Sequence, residues 1–563
     1  MSSQNQQSWV LFTLQFLIFP TLFAKVSAFD RPECLARVTA LLKDDNVSLN
    51  PAYFWQPNGV SMTDPVLTVA GCKALCRGGS RWYIDIGPRL MTWLLPIVLL
   101  IGNLDVSPLD KWRYIEVFHL IGDPMDSSWS FLAKTEAWAS CHRLIAQHYP
   151  MNSGLGVLLG RKPTLPISTE DIERSPSISS TIDITILSSG LSINELATVV
   201  AGIKEVLGPS FNPLHQLLMH VRPGLQPQTK EYNAQIQTLR GAAFKIAERR
   251  TDDILRTVFA VVIYLLQILA GFTKVLGGGN SSPPGGRIGT AMLLTWLLPT
   301  VIFSNFVGGF ASRRDCFEII KTMIQEVDKQ SRQPPDSALQ QRLQDKKKFT
   351  ENQRWSGGSY IYRPQKYVSF GAPSRRRKIL IWLLSIAPVL IALVSGSVIM
   401  WYVPPGGLSC RGILFIMITL AWLFSACVTW FCSRAQIAKG KQLWTIILIK
   451  DILVGMPIML IVFLSCSGLF NTCFCWAVTF SWGKLGYLPL NVEKEFDYKN
   501  GTIYPALVGG CLVLQFATLI AMLIVGGKGR GLMRWSEQDK ERVFLEQRSG
   551  AVPDLECENM KEK

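Results

Sequence analysis

Two short stretches carry the side chains best suited to chemistry. In HLIGD, His119 and Asp123 stand four residues apart in an H-x-x-x-D pattern like that of some acyltransferases, where the histidine works as a general base. In LIKDILVGMPIML, residues 448–460, Lys450 and Asp451 interrupt an apolar run long enough to cross a membrane. A charge held at bilayer depth costs roughly 2.5–3.5 kcal/mol on insertion scales, which makes it a functional candidate by default. Neither signal stands alone. Two residues are a short pattern, and a packed structural pair is the preferred reading of His119 and Asp123. For Lys450 and Asp451, the nineteen uncharged residues 452–470 could span without them. That favours a place at the cytosolic interface beside Trp444, with a buried ion or proton site as the alternative. Neighbouring residues also point about 100° apart on a helix, so the two are not expected to face one another.

Other chemistries lack their residues. All five histidines (His119, His142, His148, His215 and His220) fall within 105–253, but His142 to His148 is six residues and His215 to His220 is five, not the three or four that put metal ligands on one helical face. GVLLGRKP, residues 156–163, has the wrong glycine spacing for a phosphate loop, and Pro163 stands where a magnesium-binding hydroxyl is needed. Neither H-e-x-x-H nor G-x-S-x-G occurs. No cofactor or metal is expected.

The elements that would position these residues are membrane helices. The chain has 563 residues, 17% of them charged, and 17 tryptophans, with a mean hydropathy of +0.23. This balance points to an all-α polytopic membrane protein. Residues 1–28 read as a cleaved secretory signal ending in Val26-Ser27-Ala28, although MSSQNQQS lacks the usual basic residues. Apolar runs follow at 255–275, 288–311, 379–402, 412–432, about 450–470 and 504–526, with a shorter one at 90–104. Of the net charge of +16, +9 lies in residues 312–378, which hold 16 Lys and Arg against 7 Asp and Glu. An excess placed between two apolar runs follows the positive-inside rule and needs no nucleic-acid partner.

Counting crossings from that loop gives about seven transmembrane helices, amino end out and carboxyl end in after signal cleavage. Residues 29–88 form a lumenal, cysteine-containing segment, 89–104 a short first span and 105–253 a large, partly helical cytosolic loop. Residues 254–311 form a hairpin of the second and third spans, 312–378 a basic cytosolic loop, 379–526 the remaining four spans and 527–563 a cytosolic tail. The sequons at Asn46 and Asn500 fall on lumenal segments and are expected to be glycosylated. Cys34, Cys72, Cys76, Cys466, Cys473 and Cys475 lie on or near the same side and are disulfide candidates with open connectivity.

Within the large loop, a helix is expected over about 129–148, capped by Asp126 or Ser128, and LSINEL presents a capping box between Ser192 and Glu195. Residues 155–189, rich in Ser, Thr, Pro and Gly, read as a flexible connection. The fragment TWLLP occurs at Thr92–Pro96 and at Thr295–Pro299, each in a helix of the same direction, so both helices should kink alike. The uncharged polar residues inside the spans, Asn103, Gln267, Asn305 and Gln515, are amides of the kind that join helices.

At WYIDIGPRL (82–90), SPLDKWRY (107–114) and HLIGDPMDS (119–127) the chain resembles uncharacterised multi-pass membrane proteins of filamentous fungi. The resemblance implies the architecture and no particular activity. The leading expectation is therefore a non-enzymatic sensor or scaffold of the secretory pathway, plasma membrane or endomembrane, with a cytosolic protein partner on 105–253. The basic run 375–378 would lie against the anionic cytosolic leaflet. A small-molecule transporter or channel is the first alternative, weakened by the lack of an evident carboxylate away from helix ends. A membrane enzyme using 105–129 is the second.

Overall fold

Long apolar runs without internal caps fold as long helices, because a backbone without water must satisfy its own hydrogen bonds. The computed structural model describes residues 31–44, 50–54, 64–76, 86–103, 113–148, 190–207, 214, 217–218, 221, 229–248, 254–272, 284–308, 313–331, 375–402, 408, 410–435, 441–467, 475, 487–491 and 502–533. The signal segment, Asn46, Asn500, Cys473, His215, His220 and the 155–189 connection lie outside the described residues.

The molecule is predominantly helical, with five helices long and apolar enough to cross a membrane. These spans are Ile288–Val307, Arg375–Tyr402, Arg411–Cys432, Thr445–Cys466 and Tyr504–Gly527. The helices that contain them are α10 (Pro284–Leu293) continued by α11 (Leu297–Gly308), α13 (Arg375–Tyr402), α14 (Cys410–Ala435), α15 (Lys441–Ser467) and α16 (Tyr504–Met533). Two expected spans form shorter apolar segments: α3 (Ile86–Trp93) with α4 (Leu95–Gly102), and α9 (Ile254–Ala270). On α9, Leu255, Val258, Phe259, Val262, Leu266 and Leu269 form one exposed apolar face while Ala260, Val261, Tyr264 and Ile268 are buried. An uninterrupted apolar face of this kind suits lipid, not water.

Three apolar cores lie along the bundle. The central one gathers Trp93, Tyr264, Trp296, Val389, Trp422, Ile458 and Tyr504 from the apolar helices. At one end a second core joins α7 (Ile193–Leu207), α8 (Lys230–Glu248) and α12 (Arg313–Ser331) to the end of α11 and to Ile381 and Met522. At the other, α1 (Arg31–Lys43), α2 (Val69–Leu75) and an antiparallel pair, β1 (Val66–Thr68) with β2 (Tyr487–Pro489), close a small third core. Disulfides Cys34–Cys76 and Cys72–Cys475 hold this third core together. Cys466, a disulfide candidate from sequence, is instead buried in the central core.

Two further helices, α5 (Arg113–Gly122) and α6 (Pro124–His148), come from the stretch expected to be a cytosolic loop. They do not stand apart from the spans: α5 packs along α15, and α6 packs against α13 and α16 before reaching α7. Helix α6 starts earlier than 129 because Pro124 suits a first helical position and Asp123 caps it, its Oδ1 accepting from the Asp126 amide at 3.1 Å. The capping box forms as read, with Ser192 and Glu195 exchanging hydrogen bonds at 2.7 and 3.2 Å.

Both copies of TWLLP interrupt a helix. The first divides α3 from α4 at Leu94, and the second leaves a turn at 294–296 between α10 and α11. Amides sit at these breaks: Gln267 donates to the Trp93 carbonyl at 2.8 Å, and Gln515 donates to Thr295 Oγ1 at 3.3 Å and to the Pro388 carbonyl at 2.8 Å. Asn305 donates to the Asn103 carbonyl at 2.8 Å, joining α11 to the end of α4.

Candidate functional site

The two signals that opened the sequence reading converge on one place. Helix α5 carries His119 one turn before its end, Asp123 lies in the α5–α6 corner, and α15 carries Lys450 and Asp451. Close approach makes the meeting possible. A Cβ on Gly122 would stand 2.7 Å from the Asp451 carbonyl oxygen, and one on Gly455 would stand 2.9 Å from that of Phe118. Neither helix could carry a side chain at those points without moving away, which is the reason small residues occur at close helix crossings.

Lys450 Nζ lies 2.8 Å from Asp123 Oδ2, 2.7 Å from Asp451 Oδ1 and 2.6 Å from Thr429 Oγ1, with the Ser425 carbonyl oxygen at 3.5 Å. Thr429 in turn donates to Asp123 Oδ2 at 2.6 Å. The other Asp451 oxygen, Oδ2, meets His119 Nδ1 at 2.7 Å. An ionised carboxylate only accepts, so Nδ1 carries the proton in that bond. His119 Nε2 then faces Asp126 Oδ2 at 3.4 Å. The result is one continuous array: Asp126, His119, Asp451, Lys450, Asp123, Thr429. Its inner members are closed off, with Asp123 and Asp451 at 0% exposure and Lys450 at 7%, while the Asp126 side chain keeps 11% and forms the rim.

The sequence reading set Lys450 and Asp451 at the cytosolic interface; the structure shows both buried inside the protein. They fall within the Thr445–Cys466 span and are covered by α5 and α14, which the apolar pattern of α15 could not reveal. They are also paired with each other. The 100° between adjacent helical positions is overcome by the long lysine stem, which lets Nζ reach the carboxylate of the next residue. The argument against transport from missing buried carboxylates fails with it, since Asp123 and Asp451 are both buried.

Buried charges are held without large cost only when they compensate one another. Lys450 and a protonated His119 would balance Asp123 and Asp451, and a neutral His119 leaves the inner set at one negative charge. Among the described residues no set of three or more His, Cys, Asp and Glu is arranged to hold a metal ion. The ammonium of Lys450 stands where the oxygens converge.

Three participants were invisible in the sequence reading. Thr429, Ser425 and Trp422 lie on one face of α14, three and four residues apart, and Trp422 Nε1 donates to the Ile121 carbonyl at 2.7 Å. Their spacing in an otherwise apolar helix was the available signal. The helices that carry the array also touch the interrupted helix: Trp296, in the turn between α10 and α11, packs edge-on against Trp422 with ring centroids 5.9 Å apart, and Thr300 bonds Ser128 at 3.2 Å. No family model, curated protein or solved structure matches the chain.

Proposed function

We propose that this chain is a seven-helix secondary transporter of the secretory or plasma membrane, amino end outside, that couples movement of a small solute to protonation of the buried array. The observation that carries the reading is the unbroken sequence of ionisable groups from the Asp126 rim to Asp123 in the interior of a membrane bundle. Intramembrane ionisable residues of this kind mark ion and proton pathways. The paired interruptions at TWLLP support it further, because interrupted helices in corresponding places are where transporters build their sites, and one of them packs on Trp422 of α14, the helix that carries Thr429. Proteoliposomes carrying a pH-sensitive dye test the proposal. They would be challenged in turn with gradients of potassium, sodium, and a pool of amino acids and sugars. Proton movement in any of these that is lost in Asp451→Asn supports transport; none in all of them overturns it.

A second reading, a sensor, is favoured by α6. This helix begins at the array and ends in the core formed with α7 and α8, so a change of charge at one end bears on packing at the other. That reading expects Asp451→Asn to alter amide hydrogen exchange in residues 193–207 and 230–248.

A further inference from the structure

The first turn of α13 carries four cations, which the structure divides into two kinds. Arg377 turns inward: its Nε lies 2.6 Å from Glu136 Oε2 on α6, and its guanidinium donates to the Val525 carbonyl of α16 at 3.3 Å. Glu136 Oε1 takes Arg143 at 2.6 Å, so this carboxylate already serves two guanidinium groups. Arg375, Arg376 and Lys378 are exposed, and among the described residues no ion pair or hydrogen bond holds their side chains. Neither α13 nor α16 contains an Asp or a Glu. Three unpaired cations in this turn oppose the helix dipole, whose positive end lies there, and Arg375 and Lys378 repel each other as neighbours on the helix surface. The missing partner is an anion.

Depth and shape say which anion. The 28 residues of α13 make it about 42 Å long, the thickness of a bilayer with its headgroup layers. Its first turn therefore lies at headgroup level, on the side that the positive-inside rule makes cytosolic. Apolar side chains follow directly. Ile379, Leu380 and Trp382 stand four residues beyond Arg375, Arg376 and Lys378 on the same faces, and all are exposed, as are Leu383, Leu390 and Val394 further along. An acidic protein segment or a free phosphate answers the charges and leaves the apolar face bare. A phospholipid answers both, with its headgroup on the cations and an acyl chain along α13. We infer that the first turn of α13 is a binding site for an anionic phospholipid of the cytosolic leaflet whose headgroup carries phosphate monoesters, as a phosphorylated inositol lipid does. A plain phosphodiester brings one negative charge to three cations, and added phosphates supply the rest. The site is independent of the transport reading, since none of its residues belongs to the buried array.

Thermal unfolding of the full chain in detergent, with dioctanoyl lipids as probes, tests the site. Phosphatidylinositol bisphosphate should raise the melting temperature with the logarithm of its concentration, as for any ligand bound by the folded form alone. Phosphatidylserine should act only at higher concentration, and phosphatidylcholine not at all. Inositol trisphosphate, a headgroup without acyl chains, should act more weakly than the lipid. Replacing Arg375, Arg376 and Lys378 together by Gln removes no bond within the fold and should raise the half-saturating concentration on the order of a hundredfold, the combined effect of three cations near an anionic headgroup. Arg377→Gln should do the opposite: lower the melting temperature without lipid by breaking the Glu136 bridge, and keep the lipid-dependent rise. No rise with the bisphosphate lipid, an equal rise with phosphatidylcholine, or a rise that the triple variant retains overturns the site. An equal response to inositol trisphosphate overturns the lipid in favour of a free phosphate ligand. If the triple variant is not recovered folded, fluorescence of the wild type decides. A brominated-acyl bisphosphate lipid should quench Trp382, read against Trp382→Phe, more than brominated phosphatidylcholine does, and equal quenching by the two overturns the site.

Discussion

Lys450 shares one ammonium between two buried carboxylates, so its removal affects both. Lys450→Met leaves Asp123 without its cation and should destabilise the protein by about 3–5 kcal/mol, the cost of breaking a buried pair. Adding Asp123→Asn removes the orphaned charge and leaves Asp451 hydrogen-bonded to His119. The double variant should therefore be more stable than the sum of the singles, with a coupling of about 0.5–3 kcal/mol read from a four-corner unfolding cycle in detergent. Strict additivity would mean that the two groups do not compensate each other. Thr429 is a separate test because it is uncharged. It donates to Asp123 and accepts from Lys450, so Thr429→Val, close in shape, should cost about 1–3 kcal/mol by leaving buried polar atoms without their bonds. A loss below experimental error would show that the hydroxyl is incidental to the array.

At the scale of the helix, the site depends on how closely α5 approaches α15. Glycine is required at Gly122 and Gly455 by space, since an added methyl at either would press into the backbone of the other helix. Gly509 and Gly510 on α16 are different: a Cβ there meets nothing within 4 Å. The same substitution should then change sign along the molecule. Gly455→Ala should destabilise by about 1–3 kcal/mol through overpacking. Gly509→Ala and Gly510→Ala should be neutral or stabilising by up to about 1 kcal/mol through helix propensity. Melting temperatures of the three variants check this, and a stable Gly455→Ala would mean that α5 and α15 can separate freely. These contacts also explain what the sequence could and could not disclose. Each of the seven apolar runs after the signal segment overlaps apolar helix among the described residues, because hydropathy is a property of consecutive residues. The capping box at Ser192 was legible for the same reason. The partnership of His119 with Asp451 was not, because 332 residues separate them and no local pattern marks which face of α15 is covered. What was legible was an imbalance: a lysine and an aspartate set inside an apolar run.

For the whole molecule, the arrangement of cores makes the sidedness testable. Residues from 131–247 and 316–324 share one core, while residues 34–76 share another with 488–490, and the disulfide Cys72–Cys475 ties segments 403 residues apart at that second end. Disulfides persist in the lumen and not in the cytosol, so the second end should be lumenal and the first cytosolic. Native Cys141 and Cys316 cannot report this by labelling, as both are buried in the first core. Thr322, exposed on α12, can. In sealed microsomes, whose outer face is cytosolic, Thr322→Cys should react with an impermeant maleimide before permeabilisation. Both disulfides should resist an impermeant reductant until the membrane is opened. The longer-range bridge should also matter more. If chain entropy is the cause, Cys475→Ala should cost up to about 2 kcal/mol more than Cys34→Ala, whose bridge spans a separation of 42, read as the difference in thermal stability. Labelling of Thr322→Cys only after permeabilisation would place α7, α8 and α12 in the lumen. The Asp126 rim would then face the opposite compartment from the one the positive-inside rule assigns, and the direction of any proton coupling through His119 would be reversed.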